Sequence, residues 1–156
     1  MTGGEHILRL AVPLEARRRP THSAQAKYSI PFTAAVAMVY GDVKLRNYTE
    51  AGMKDEKVLA LAERVTVHKD ENPAREKEAA TVEIRTRDGK VYKKQVKYPL
   101  GDDRRNPMSQ QQIEEKFRDC ASFSRKPISK TNVDKIIALL ANLEEVADVG
   151  EITGLL

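Results

Sequence analysis

The sequence contains very few cysteine and aromatic residues. Cys120 is its only cysteine, tryptophan is missing, and aromatic side chains make up 5% of the 156 residues. A single cysteine excludes an intrachain disulfide and a cysteine metal cluster, and it is typical of a reducing compartment. So few aromatic residues, with no basic patch interleaved among them, argue against a stacking surface for single-stranded nucleic acid.

Long apolar runs and leader signals are also missing. No apolar run approaches the roughly 20 residues that a membrane-spanning helix needs. The first residues, MTGGEHIL, lack the basic start and apolar centre of a signal peptide. We therefore expect a cytoplasmic protein that does not contact a membrane.

Recognisable catalytic motifs are scarce. The three histidines, His6, His22 and His68, are isolated and do not have the spacing of metal ligands. The chain has no glycine-rich phosphate loop and no nucleophile elbow. We therefore expect no metal site and no complete catalytic site within this chain.

The overall composition is that of a globular protein. Hydrophobic residues make up 40% and charged residues 32%, and the length is sufficient for one domain with a core. The net charge of +4 suits an anionic small molecule as well as it suits nucleic acid. Three consecutive arginines, Arg17 to Arg19, are interpreted as part of a solvated loop over 13–21, with an anion contact as the alternative.

The densest apolar stretch of the chain lies between His22 and Gly41. Ser29 is typical of a helix N-cap, Pro31 suits the first turn, and Gly41 suits the helix end. The run from Phe32 to Val39 is almost wholly apolar, which predicts a helix that is buried on all sides.

Polar groups precede this helix. Lys27, Tyr28 and Ser29 lie at its start, where unpaired N–H groups and the helix dipole attract anions. The sequence leaves two interpretations open. Either Ser29 only caps the helix and Lys27 only reaches solvent, or the segment forms an anion-binding corner.

The remaining chain predicts short strands and further helices. Alternation predicts strands over 5–12 and 64–69, with His68 on the outer face, and Asp88-Gly89 predicts a type I′ hairpin over 81–98. Helices are expected after the caps Asp55, Ser109 and Ser129, with Cys120 and Leu140 facing the core, and loops over 42–54 and 70–78. The predicted class is α+β, with a mostly antiparallel sheet of about four strands and about four helices.

Two segments of this chain resemble the MmgE/PrpD family. The stretch AKYSIPFTAAVAMVYGDV is similar to the family pattern AK-[FY]-S-[LI]-P-[YF]…AVA…G, and GDDRRNPMSQQQIEEKF is similar to PG-x-x-x-NP-[ML]-[ST]…KF. The resemblance spans nearly all of residues 1–156. It implies a single α+β domain like the smaller, C-terminal domain of the family, with the large N-terminal helical domain absent.

The resemblance also implies a function. The family includes methylcitrate dehydratase, cis-aconitate decarboxylase and iminodisuccinate epimerase, which act on small di- and tricarboxylates without an organic cofactor. Its acid–base histidine and lysine lie mainly in the helical domain, so this chain is expected to need that domain, or a separate helical subunit, as its partner. Homo- or hetero-oligomers are expected, and nucleic acid is not.

The expected substrate-binding residues are His22, Lys27, Tyr28, Ser29 and Phe32. Family members often carry a tyrosine at the position of Phe32, which has no hydroxyl. Three readings follow: the role is lost, Tyr28 replaces it, or the position only packs. The alternative to an enzyme part is a non-catalytic assembly or anionic-ligand-binding module that retains the fold.

Overall fold

The computed structural model describes residues 1–71 and 79–156. It divides into two compact units, Met1–Pro107 and Met108–Leu156. The described residues form nine α-helices, two 3₁₀ helices and four strands. The α+β class is confirmed, although the helices are shorter and more numerous than the sequence predicted. None of the helices in the described ranges is long and apolar enough to cross a bilayer.

One four-stranded sheet lies in the first unit. Its strands are β1 (Thr2–Gly3), β2 (His68–Lys69), β3 (Ala80–Arg85) and β4 (Val91–Val96). Their order across the sheet is β2-β1-β3-β4, and only the β1–β2 pair is parallel. The expected mostly antiparallel sheet is therefore confirmed, and His68 is exposed as expected.

The hairpin between β3 and β4 was predicted correctly, but its turn type was not. Ile84 pairs with Tyr92, and the Thr86 N–H donates to the Lys90 carbonyl at 2.9 Å. Among the described residues only glycines have positive φ, so Asp88 does not, whereas Gly89 has φ 82°. A type I′ turn needs positive φ at both central residues. The loop instead turns through Thr86–Gly89, where the Gly89 N–H donates to the Thr86 carbonyl at 3.1 Å.

The strand predicted over 5–12 is wrong. Residues Glu5–Arg9 form helix α1, which follows directly after β1. Ile7 is the buried residue of this helix, and the alternation of Leu8, Leu10 and Val12 had suggested a strand face instead. Gly3 permits this turn, because a Cβ there would lie 2.8 Å from the Ile7 side chain. The strand predicted over 64–69 is likewise reduced to His68–Lys69.

Short helices occupy most of the first unit. They are α2 (Leu14–Arg18), α3 (Ser23–Lys27), α4 (Ile30–Tyr40), a 3₁₀ helix (Leu45–Tyr48), α5 (Glu50–Met53) and α6 (Glu56–Ala62). The loops predicted over 13–21 and 42–54 are therefore wrong in part. Of the loop predicted over 70–78, residues 72–78 lie outside the described residues. The helix predicted after Asp55 is confirmed.

The core of the first unit lies between α4 and α6. Phe32 and Val36 of α4 pack with Val58 and Ala62 of α6, and all four are fully buried. Gly41 ends α4 with φ 74°, as predicted. The expectation that α4 is buried on all sides is wrong for its second half, where the exposed residues are Ala37, Met38 and Tyr40.

The second unit consists of helices. They are α7 (Gln110–Ala121), α8 (Lys130–Ala141), a 3₁₀ helix (Leu143–Glu145) and α9 (Gly150–Thr153). Ser109 caps α7 as predicted, and it forms a capping box with Gln112. Val133, Ile136 and Ile152 are buried, and the Asn132 side chain donates to the Leu155 carbonyl at 3.0 Å. Leu140 and Cys120 were expected in the core and are exposed, so both expectations are wrong.

Candidate functional site

The predicted corner lies where α3 ends and α4 begins. Lys27 is the last residue of α3, Tyr28 follows it, and Ser29 is the N-cap of α4. Lys27 is exposed and Tyr28 is 64% exposed, whereas Ser29 is only 2% exposed. The corner therefore presents one cation and one phenol to solvent, and the serine lies beneath them.

The hydroxyl of Ser29 is fully used by the protein. It accepts a hydrogen bond from the Phe32 N–H at 3.1 Å and donates one to the Arg17 carbonyl. The Ile30 N–H donates to the Leu10 carbonyl at 3.0 Å, and Pro31 has no N–H. The first-turn N–H groups of α4 that we expected to attract an anion are thus already bonded within the chain. Any anion bound here must be held by side chains.

Phe32 packs and does not face solvent. Its fully buried ring lies 6.2 Å from the Tyr48 ring, centroid to centroid, in a tilted arrangement. The Tyr48 hydroxyl is 3.2 Å from the Thr33 hydroxyl, which fixes the tyrosine beside α4. In this chain, therefore, the position of Phe32 supports the start of α4.

His22 lies at the other end of α3. It is exposed and is the N-cap of α3, and its Nδ1 accepts from the Gln25 N–H at 3.3 Å. Nδ1 is thereby used to cap the helix, which leaves Nε2 as the ring nitrogen for other contacts. The sequence-predicted set thus contains three exposed side chains, His22, Lys27 and Tyr28, and two buried supporting ones.

The structure adds Arg17 to this corner. Its Nη1 donates to the Tyr28 carbonyl at 3.0 Å, and its Nε donates to the Val12 carbonyl at 3.1 Å. The guanidinium is therefore tied to the backbone of an expected site residue that lies 11 positions later in the chain. The only sequence signal was the arginine triplet itself, because no spacing rule links Arg17 to Tyr28.

The other two arginines bind elsewhere. Arg18 donates to the Val65 carbonyl at 2.8 Å, and Arg19 donates to the Glu63 carboxylate at 2.7 Å. The interpretation of the triplet as a solvated loop is therefore wrong in part: Arg17 and Arg18 lie in α2, Arg19 follows it and is exposed, and all three side chains bond to other segments of the first unit. Within residues 1–71 and 79–156, no three histidine, cysteine or acidic side chains lie together as metal ligands would.

Comparison with known proteins identifies the family of this chain. The model of the MmgE/PrpD C-terminal domain matches residues 5–144. Human cis-aconitate decarboxylase is 26% identical over 139 residues, which are 88% of this chain and 28% of that protein. The chain thus spans little more than a quarter of the length of this relative. Because the family match covers most of the sequence, this chain belongs to the MmgE/PrpD family, and it corresponds to the family's C-terminal domain.

Proposed function

We propose that this chain is the α+β part of a lyase or epimerase that acts on a small di- or tricarboxylate. The single observation that carries the proposal is the family match over residues 5–144. The relative that decarboxylates cis-aconitate, a tricarboxylate, supports the substrate class. Because the chain spans 28% of that relative, we propose that activity needs a helical partner, as a domain or as a subunit.

The exposed side chains of the corner would meet the substrate. Lys27 would bind a substrate carboxylate through its charge, and Tyr28 would offer its hydroxyl in place of the hydroxyl that Phe32 lacks. His22 would lie at the rim of the site. Ser29 and Phe32 would position these groups, since both are buried and both are held at the start of α4.

The reaction we propose forms a carbanion next to a carboxylate, either by abstraction of a proton or by loss of CO₂. A carbanion formed by proton abstraction expels hydroxide, which leaves as water once it is protonated, or is reprotonated; a carbanion formed by loss of CO₂ takes up a proton. Such an intermediate needs a positioned base and cationic groups that stabilise its negative charge. In this proposal the partner contributes the base, and Lys27 contributes part of the charge stabilisation.

The exposed second half of α4 is an argument for a protein partner. Met38 and Tyr40 are each 46% exposed, and Ala37 beside them is also exposed. Contiguous apolar residues on a surface are typical of sites that another protein covers. We propose that the helical partner covers this patch, and that the working enzyme is a homo- or hetero-oligomer.

The test uses the chain purified from its source cells together with the protein that accompanies it. The complex is assayed with cis-aconitate and citrate for CO₂ release and for a change in the double-bond absorbance, which rises when citrate loses water. We expect turnover only when both proteins are present. Lys27→Ala should raise KM about tenfold or more, the equivalent of losing one charged contact. Lys57→Ala removes an exposed cation of α6 and should leave KM unchanged.

Two results would contradict the proposal. If Lys27→Ala changes neither KM nor kcat, Lys27 does not bind the substrate. If the purified complex turns over no di- or tricarboxylate but binds them, the chain is the non-catalytic ligand-binding module considered as the alternative.

A further inference from the structure

We infer that Arg17 is a second carboxylate-binding residue of the corner, with its guanidinium fixed beside Tyr28 before any ligand arrives. The inference rests on the proposed function for the substrate class. Its geometry, however, lies wholly within this chain, so it can be tested without the partner. The sequence offered an anion contact only as an alternative for the whole triplet Arg17 to Arg19, and the family match assigns no ligand to Arg17.

The Arg17 guanidinium is held in place by hydrogen bonds, but no negative charge neutralises it. Two of its N–H donors are bonded to the carbonyls of Val12 and Tyr28, and both acceptors are neutral. Among the described residues no carboxylate lies within ion-pair distance of Arg17, whereas Glu63 pairs with Arg18 and Arg19. The remaining N–H donors, including both on Nη2, are therefore available to an external acceptor.

A guanidinium that the fold already holds in place binds a carboxylate more favourably than a mobile one. An arginine side chain loses considerable rotamer freedom when it is fixed, and here the fold has already fixed it. Its backbone is fixed as well, because the Arg17 carbonyl accepts from the buried Ser29 hydroxyl. A planar guanidinium with free N–H groups matches the two oxygens of a carboxylate.

The position suits a ligand with several carboxylates. Arg17 is half-buried and donates a hydrogen bond to the carbonyl of Tyr28. The side chains of Tyr28 and of the preceding residue, Lys27, are both exposed. A di- or tricarboxylate would place one carboxylate on Arg17 and another on Lys27, the last residue of α3. A monocarboxylate would gain only one of these contacts and should bind more weakly.

The experiment is a titration of the full 156-residue chain with citrate at constant ionic strength, followed by the backbone amide of Tyr28 and the Nε–H of Arg17 in NMR spectra. The variants are Arg17→Gln, Arg17→Lys and the matched control Arg19→Gln. Both glutamine variants remove one positive charge, but the control removes it from a side chain that is bonded to Glu63. Acetate serves as the monocarboxylate probe.

We expect saturable citrate shifts at Tyr28, at least tenfold weaker binding in Arg17→Gln, and no more than a twofold change in Arg19→Gln. Arg17→Lys keeps the positive charge but lacks the planar guanidinium, and it should bind citrate at least threefold more weakly. Should Arg17→Gln fail to fold, as judged by its hairpin amide shifts, the lysine variant decides alone.

Three results would overturn the inference: no saturable shift in the unsubstituted chain, equal losses in Arg17→Gln and Arg19→Gln, or wild-type affinity in Arg17→Lys. Each of these leaves the proposed function standing, because that function is judged by turnover in the complex. Conversely, citrate binding through Arg17 without any turnover would retain the inference and reject the enzyme.

Discussion

The Tyr40 hydroxyl donates a hydrogen bond to the Asp55 carboxylate, and it thereby joins the end of α4 to the start of α6. Asp55 is also the N-cap of α6, where one of its oxygens accepts from the N–H groups of Lys57 and Val58 at 2.9 and 3.3 Å. The two helices that enclose the core are thus linked at their adjoining ends by a single carboxylate. Its protonation state bears on the stability of the first unit.

The first prediction concerns acid stability. The Tyr40 hydroxyl is the largest cause that holds the pKa of Asp55 below its ordinary value, and the N–H groups of α6 add to it. Because the folded pKa is lower than the unfolded value of about 3.9, the contribution to stability is complete above pH ~4 and is lost as the pH falls through the lowered pKa. The same hydrogen bond raises the pKa of Tyr40, so the stability that the bond contributes is lost at strongly alkaline pH, when the tyrosine ionises.

Tyr40→Phe tests this link. The pKa of Asp55 should rise toward its ordinary value in the variant, as followed by the carboxyl carbon signal in an NMR titration. The same spectra contain a control, Asp88, whose pKa is lowered by Lys90 and Thr86 and should not move. An unchanged Asp55 titration would mean that the tyrosine does not stabilise the carboxylate.

The second prediction concerns Ser29. Ser29→Ala removes one accepted and one donated hydrogen bond at a buried site and should lower the free energy of unfolding by about 2 kcal/mol. Thr49→Ala is the matched control. The Thr49 hydroxyl caps α5 with the same pattern, because it accepts from the Gly52 N–H and donates to the Arg46 carbonyl. Thr49 is partly exposed, so Thr49→Ala should lower the free energy of unfolding by about 1 kcal/mol.

Tyrosine fluorescence during denaturation can measure both variants, because all five tyrosines lie between residues 28 and 98, within the first unit. Equal losses of stability in the two variants would show that burial of the Ser29 hydroxyl adds nothing to the cap.

Local rules predicted the helix ends well. Ser29, Asp55, Ser109 and Ser129 all cap helices with their side chains, because an N-cap depends only on residues within one turn. The helix end at Gly41 was predictable for the same reason, since a left-handed residue ends a helix whatever distant segments do.

Distant contacts decided what the sequence could not predict. Glu5–Arg9 alternates like a strand, yet β1 pairs with β2, which lies more than 60 residues away, and this pairing leaves the following residues to form a helix. Arg17 reaches Tyr28 because α2 packs against α4, which begins two residues after Tyr28. Periodicity shows which residues share a face, but it does not show whether the chain covers that face, and Cys120 and Leu140 remain exposed.

The third prediction concerns Gly52, where α5 approaches the preceding 3₁₀ helix. A Cβ at this position would lie 2.7 Å from the Asn47 carbonyl oxygen and still closer to that of Arg46. In an open helix, glycine to alanine would add about 1 kcal/mol of stability. Here Gly52→Ala should instead lower it by about 1–3 kcal/mol, because backbone atoms must shift to admit the methyl group.

The sign of the change makes this prediction easy to check by denaturation followed through tyrosine fluorescence. Glu50→Ala on the same helix removes only an exposed ion pair with Lys54 and should leave the stability nearly unchanged. A Gly52→Ala variant more stable than the unsubstituted chain would show that α5 and the 3₁₀ helix can separate freely. The close contact would then not be what positions Tyr48 against Phe32.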